Sequence, residues 1–225
     1  MSRKMISKFL QDPYKEDFNL YKSYVNQKTQ ITLLNSYESN IKPLYKKIYY
    51  LNFLINHLKL KSTFLKECTY NILLCMDLLN FKFINSMRLQ LRSSLEQFNR
   101  YLLEKKQQYN PNFGVRQINE NVKMHYTGTK IDNIVKDLLN DYKQLCDYVH
   151  VTKEQYFSAQ RVLNDLEAIK PKEIIQNINL LCRICDYYII SLITLNYSYY
   201  STKIGIYNQR LIESALSIKI DSYIQ

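Results

Sequence analysis

Apolar residues recur at every third or fourth position along most of the chain, the period of an α-helix with one buried face. The first strong stretch predicts a helix from about Ser39 to Leu60, with Ser39 as its N-cap and Pro43 in its first turn. Its predicted core face carries six aliphatic residues: Ile41, Leu44, Ile48, Leu51, Ile55 and Leu58.

The same period predicts helices over most of the remaining chain. They comprise a short helix after Pro13, a helical stretch over 62–108 with a break near Asn80, and helices at about 130–149, 152–169, 172–203 and 207–218. Residues 110–114 form the clearest turn, and the stretch from there to Thr129 has no period. Helix 172–203 carries more than three heptads of apolar a and d positions: Ile174, Ile178, Leu181, Cys185, Tyr188, Leu192, Leu195 and Tyr199.

Glycine is the most informative residue in the composition, because only 3 of the 225 residues are glycine, against about 7% in ordinary proteins. Sheet folds and phosphate-binding loops need turn glycines, so they are disfavoured. We therefore predict an all-α fold, a single bundle of about six to eight helices with two long antiparallel core helices. No composition shift divides the chain, so residues 1–225 form one domain, with 1–38 as a peripheral segment and 39–220 as the bundle.

The formal charge of +11 favours an acidic partner such as nucleic acid, although codon bias towards lysine explains part of it. Residues 39–66 concentrate lysine without Asp or Glu, and Tyr45, Tyr49 and Tyr50 are interleaved with it. Lysines with aromatic residues can follow a phosphate backbone and stack bases. A solvated helix face beside core aromatics gives the same pattern. The candidate nucleic-acid contacts are Lys42, Lys46, Lys47, Lys59 and Lys61.

The cysteines and apolar runs predict a cytoplasmic protein with free thiols and without a membrane span. The chain has 5 cysteines, an odd number, and the first ten residues lack the apolar region of a signal peptide. The uncharged run 187–202 is shorter than the roughly 20 residues that a membrane span needs, so it predicts a buried or interface helix. Cys182 and Cys185 form a lone CxxC, which packing explains better than a metal site. We predict no metal and no cofactor.

Four residues are candidates for chemistry: His150, Arg88, Arg92 and Glu96. His150 flanks the core stripe of its helix, whereas His57 and His125 are expected on the surface. Arg88, Arg92 and Glu96 are spaced four apart along one helix side. Glu96 can hold Arg92 as an i,i+4 pair and leave Arg88 free to bind phosphate. The simpler interpretations are an intrahelical salt bridge and a helix-terminal histidine.

Leu91-Arg-Ser-Ser-Leu-Glu96, followed about 50 residues later by Tyr142-Lys-Gln-Leu-Cys-Asp-Tyr-Val-His150, resembles the HEPN superfamily (higher eukaryotes and prokaryotes nucleotide-binding domains). The resemblance covers residues 64–200 and is to members of bacterial abortive-infection and phage-defence systems. It implies an all-α bundle that often dimerises, with links to RNA cleavage or nucleotide binding. Ribonuclease members typically place an arginine before a histidine on one helix, with four to six residues between them. Here Lys143, Gln144 and Leu145 occupy those positions before His150, so the arginine is absent.

Two hypotheses follow. The first is a non-catalytic HEPN-like module of a bacterial or phage-related defence system, which binds RNA or another nucleic acid or a partner protein. It would form a homodimer or hetero-assembly through helix 172–203. The alternative is a metal-independent HEPN-type ribonuclease toxin, with His150 as general acid or base, Arg92 or Arg88 stabilising a pentavalent phosphate and Glu96 orienting the arginine.

Overall fold

The chain is all-helical in the computed structural model, which describes residues 12–28, 32–149, 170–220 and 223. These residues contain no strand, so the predicted fold class is confirmed, although their helices outnumber the predicted six to eight. The predicted helix at 152–169 lies outside the described residues. The helices are α1 (Tyr14–Lys28), α2 (Leu33–His57), α3 (Thr63–Asn80), α4 (Ile84–Lys105), α5 (Val115–Tyr126), α6 (Asp132–Val149), α7 (Pro171–Leu195), α8 (Tyr197–Lys203) and α9 (Ile206–Ala215).

The described part of the N-terminal segment, residues 12–28 and 32–38, contributes to the core, although residues 1–38 were predicted to be peripheral. Phe18, Val25 and Leu34 are buried in the common core cluster. Helix α2 begins at Leu33, so Ser39 is not its N-cap, and a kink at Tyr37 (φ −125°, ψ 26°) separates its first turn from the rest. Burial of apolar side chains therefore extends the helix beyond the boundary that its capping residue predicted.

The predicted helix 172–203 is two helices, because the chain breaks at Asn196 (φ −128°, ψ 30°). Its side-chain nitrogen donates to the carbonyl oxygen of Leu192 at 2.8 Å, a local bond that competes with helix continuation. The heptad seam is covered by the chain itself, since all its positions up to Leu192 are buried. The seam is therefore part of the core in this chain.

Helices α3 and α4 form the antiparallel pair at the centre of the bundle. Cys68 contacts Ser94, and Cys75 donates to the carbonyl of Met87, so position numbers fall along one helix as they rise along the other. Helix α7 runs in the direction of α4, because Arg88 meets Glu173 near their starts and Lys105 meets Asn196 at their ends. The C-terminal ends of α2, α4 and α7 therefore lie at one end of the bundle.

Three helices end in a left-handed residue without using glycine. Lys59 (φ 53°), Lys82 (φ 64°) and Gln107 (φ 56°) follow α2, α3 and α4. In each case the next amide donates to a carbonyl five residues earlier, as in a Schellman motif: Leu60 to Ile55, Phe83 to Leu78 and Gln108 to Leu103. A side chain in this conformation costs about 1–2 kcal/mol. The scarcity of glycine therefore carries a cost at these turns.

Tyrosine hydroxyls tie the helices together through buried or half-buried carboxylates. Five such bonds join different helices or the start of α1: Tyr21–Asp77 (2.7 Å), Tyr45–Asp17 (2.5 Å), Tyr50–Asp12 (2.6 Å), Tyr142–Glu96 (2.9 Å) and Tyr187–Asp137 (2.6 Å). Tyr45 and Tyr50 are thus core residues and cannot stack bases, as one of the two interpretations of residues 39–66 required. The alternation of lysines and tyrosines at these positions is therefore that of core aromatic residues beside a polar helix face.

Among the described helices, α7 is long and apolar enough to cross a membrane by length and composition. In the chain, 67% of its most apolar stretch is buried against other helices. A central helix of a bundle has the same character, so its apolarity is accounted for by packing.

Candidate functional site

Arg92, Glu96 and Tyr142 form a polar cluster between α4 and α6. Glu96 Oε1 accepts hydrogen bonds from Arg92 Nε at 3.1 Å and from the Tyr142 hydroxyl at 2.9 Å. The Arg92 guanidinium carbon lies 5.9 Å from the Tyr142 ring centroid. The predicted Arg92–Glu96 pair is confirmed, and it extends across a helix interface that sequence spacing did not reveal.

Arg92 and Tyr142 both keep their protons in this cluster. Burial lowers the pKa of Arg92, but the hydrogen bond and charge of Glu96 outweigh this, so the pKa is raised. Burial, a hydrogen bond with Cys146 and the charge of Glu96 raise the pKa of the Tyr142 phenol. The arginine is therefore charged and the tyrosine is a donor near neutral pH. Neither group is poised to exchange a proton there.

Arg88 has a partner, contrary to the prediction that Glu96 would leave it free. Its Nη2 donates to Glu173 Oε1 on α7 at 2.8 Å. The Arg88 side chain is 15% exposed, and a half-buried guanidinium requires such a partner. Glu173 lies 85 positions away in sequence, so the pair was beyond helical spacing rules.

The predicted candidate His150 lies outside the described residues. Helix α6 is described to Val149, and Cys146, one turn before the end, neighbours both Arg92 and Tyr142. By spacing, Tyr142, Cys146 and His150 follow one another at intervals of four. The structure thus brings Arg92 to the side of α6 that carries Tyr142 and Cys146.

A groove of about 440 Å³ lies between α5 and α6, beside this cluster. Tyr142 belongs to both the cluster and the groove, and Cys146, which neighbours the cluster, also lines the groove. The groove is lined by Val115, Arg116, Asn119, Glu120, Lys123, Leu139, Tyr142, Lys143 and Cys146. Most of the lining is apolar, and Arg116 and Glu120 pair with each other at 2.9 Å. Lys123 and Lys143 remain as exposed cations at its edge.

The five predicted nucleic-acid lysines separate into two groups. Lys47 is 2% exposed, and its ammonium donates to Asp186 (2.5 Å), the Ala215 carbonyl (2.6 Å) and Ser217 Oγ (3.1 Å). All three of its protons are used, so its prediction as a nucleic-acid contact is wrong. Lys46 pairs with Asp12 at 3.0 Å, and Lys42 lies half-buried over the Phe18 ring.

Lys59 and Lys61 are exposed and form the start of a larger basic surface at the end of the bundle where α2, α4 and α7 terminate. Phe64 packs edge-on against Tyr109 with 4.8 Å between centroids, and Arg100 donates to the Tyr109 hydroxyl at 3.3 Å. These contacts bring the start of α3 beside the end of α4. We name this surface the basic end; it consists of Lys59, Lys61, Lys66, Arg100, Lys105 and Lys106.

The positive charge of the basic end exceeds the negative charge of the helix C-termini and carboxylates near it. Three helix C-termini together present roughly 1.5 negative charges, and Glu67 and Glu104 are the carboxylates in the same segments. Six cations exceed this. Lys59, Lys61 and Lys66 form no ion pair with any described carboxylate, so this surface is the strongest anion-binding candidate among the described residues.

The chemistry of the described cysteines and histidines depends on how they are grouped and on how deeply they are buried. No group of three or more His, Cys, Asp or Glu residues suitable for a metal occurs within the described ranges. Burial raises the pKa of the Cys182 thiol to about 11 and that of Cys185 well above its usual value. Exposed His57 stacks on Phe53 at 3.6 Å, and His125, expected in a loop or short helix, lies in α5.

Comparison of the chain with family models, with curated proteins and with solved structures found no match.

Proposed function

We propose that the chain is a non-catalytic helical module that binds RNA through its basic end. The observation that carries the proposal is the concentration of exposed lysines where three helices terminate. Phosphate contacts supply most sequence-independent affinity for nucleic acid. The exposed cations of the α2–α3 connection are joined there by those at the end of α4, which the sequence pattern did not associate with them.

The arginines support a binding role over catalysis. Arg88 and Arg92 each contact a carboxylate, Glu173 and Glu96, and a paired guanidinium must break that pair before it can stabilise a phosphate. The HEPN-like architecture and the defence role belong to this proposal through the resemblance of residues 64–200. The all-helical fold agrees with it. A cytoplasmic location and assembly through 172–203 remain predictions, although the seam on which that assembly was predicted is buried within this chain up to Leu192.

One observation favours the alternative, a metal-independent ribonuclease. Arg92 lies against α6 beside Tyr142 and Cys146, one helical spacing before His150 in sequence. Incubation of RNA with the purified protein and a chelator, with His150→Ala as the comparison, tests it. Cleavage lost in the variant would establish the enzyme and overturn the non-catalytic proposal. Intact RNA would reject the alternative.

Fluorescence anisotropy with a labelled single-stranded RNA of about 16 nucleotides tests the main proposal. Combined Lys59→Glu, Lys61→Glu and Lys66→Glu should weaken binding at least about tenfold, because three phosphate contacts become repulsive. The matched control is Lys82→Glu, Lys170→Glu and Lys172→Glu, the same charge change at the opposite end of the bundle. Equal weakening in both variants would show that net charge, and not the basic end, binds RNA.

A further inference from the structure

The groove between α5 and α6 has the length of a short helix. Its α5 wall runs from Val115 to Lys123 and its α6 wall from Leu139 to Cys146. At 1.5 Å per residue these walls are about 10–12 Å long, or two helical turns. The groove is therefore bounded on both sides by helix surfaces of similar length.

The walls are held in place before anything binds. The Tyr142 hydroxyl is held by Glu96, which Arg92 also contacts. On the α5 side, Asn119 Oδ1 accepts a bond from Asn99 Nδ2 of α4 at 2.9 Å. A surface fixed by hydrogen bonds to a third helix loses little entropy when a partner binds.

The chemistry of the groove combines an apolar floor with positive edges. Leu139 and Tyr142 supply apolar surface to the groove. Because Arg116 and Glu120 neutralise each other, Lys123 and Lys143 set the charge of the edges. Neither lysine forms an ion pair with a described carboxylate.

We infer that this groove binds an amphipathic helix of a partner protein, with an apolar stripe on the floor and acidic residues facing Lys123 and Lys143. Helix-in-groove recognition has these requirements. Two lysines beside apolar walls provide too few cations to bind a phosphate backbone. The groove is open, so it would bury too small a fraction of the surface of a small molecule. The inference is independent of RNA binding at the basic end.

A designed peptide tests this site directly. The chain contains no Trp, so one Trp in a peptide of about 15 residues, near the length at which isolated helices form, reports binding by its own fluorescence. The peptide has leucines at i, i+3, i+4 and i+7 and glutamates beside this stripe. We expect it to bind at least about tenfold more tightly than a copy with lysines for glutamates or with scrambled leucines.

Charge exchange provides the decisive variant. Lys123→Glu with Lys143→Glu, both at exposed positions, should reverse the preference so that the lysine peptide binds more tightly. The basic-end variant (Lys59→Glu, Lys61→Glu, Lys66→Glu) should bind the acidic peptide as the wild type does, which separates this site from RNA binding. Unchanged preference after charge exchange, equal binding of the scrambled peptide, or displacement of the peptide by the RNA oligonucleotide would each overturn the inference.

Discussion

The lysines of residues 39–66 contact other side chains in the first half of this stretch and are exposed in the second half. Lys46 and Lys47, in the middle of α2, pair with Asp12 and Asp186, and Lys47 also bonds the last residue of α9 and Ser217 just after it. Lys59, Lys61 and Lys66, beyond the end of α2, are exposed. The first pair maintains the fold, whereas the second group is available to a partner. Local density of charge does not distinguish these roles.

Helical position does distinguish them. Lys47 lies three residues after Leu44, one before Ile48 and four before Leu51, so it shares the face that these residues bury. Asp186 likewise stands beside Cys185 on the core side of α7. Opposite charges on two core stripes indicate a buried pair. The comparison can be tested by changing each half in turn.

The largest effect is expected from Lys47→Ala. It leaves the Asp186 carboxylate buried without its cation and should lower the free energy of unfolding by about 3–5 kcal/mol. Urea denaturation measures this. Lys61→Ala, in the exposed half, is the control and should change stability by less than about 0.5 kcal/mol. A similar small loss for Lys47→Ala would show that the pair does not hold the fold.

The second-largest effect is expected from alkaline pH. It should destabilise the fold through Tyr45 and Tyr50, which are buried in the same half of the stretch as Lys46 and Lys47. Burial and Asp12 raise the pKa of Tyr50, and burial and Asp17 raise that of Tyr45, above the usual 10.0. The unfolded chain then releases these protons first, so stability present below pH 10 is lost as pH rises, by up to about 1.4 kcal/mol per pH unit for each tyrosine.

Urea denaturation at several pH values from neutral to alkaline measures this slope. Tyr50→Phe removes one of the titrating groups and should flatten the slope above pH 10. An identical slope in wild type and variant would contradict the assignment of a raised pKa to Tyr50.

The smallest effect concerns the first residue of the exposed half. Lys59→Gly relieves the left-handed conformation (φ 53°) and should stabilise the fold by about 0.5–1 kcal/mol. Lys61 is not left-handed, so Lys61→Gly should be neutral or slightly destabilising. Thermal unfolding compares the two. Equal effects would mean that the turn at Lys59 carries no strain.

Much of the fold followed from sequence, since burial period and a shortage of glycine predicted the all-α class, the break near Asn80 and the turn at 110–114. The predictions that failed concern features that depend on tertiary contacts. The bond between Arg88 and Glu173 and the burial of Leu34 involve residues distant in sequence, and the break at Asn196 rests on a side-chain bond that no period reveals. The basic end joins the start of α3 to the end of α4, which only the hairpin geometry brings together.

The dependence of RNA affinity on salt tests the central claim, that the exposed half binds RNA, most directly. Each phosphate contact contributes about 0.7 to the slope of log affinity against log salt for a single strand. Combined Lys59→Ala, Lys61→Ala and Lys66→Ala should reduce that slope by about 2, while Lys82→Ala, Lys170→Ala and Lys172→Ala should leave it unchanged. An unchanged slope in the first variant, or an equal reduction in both, would contradict the account.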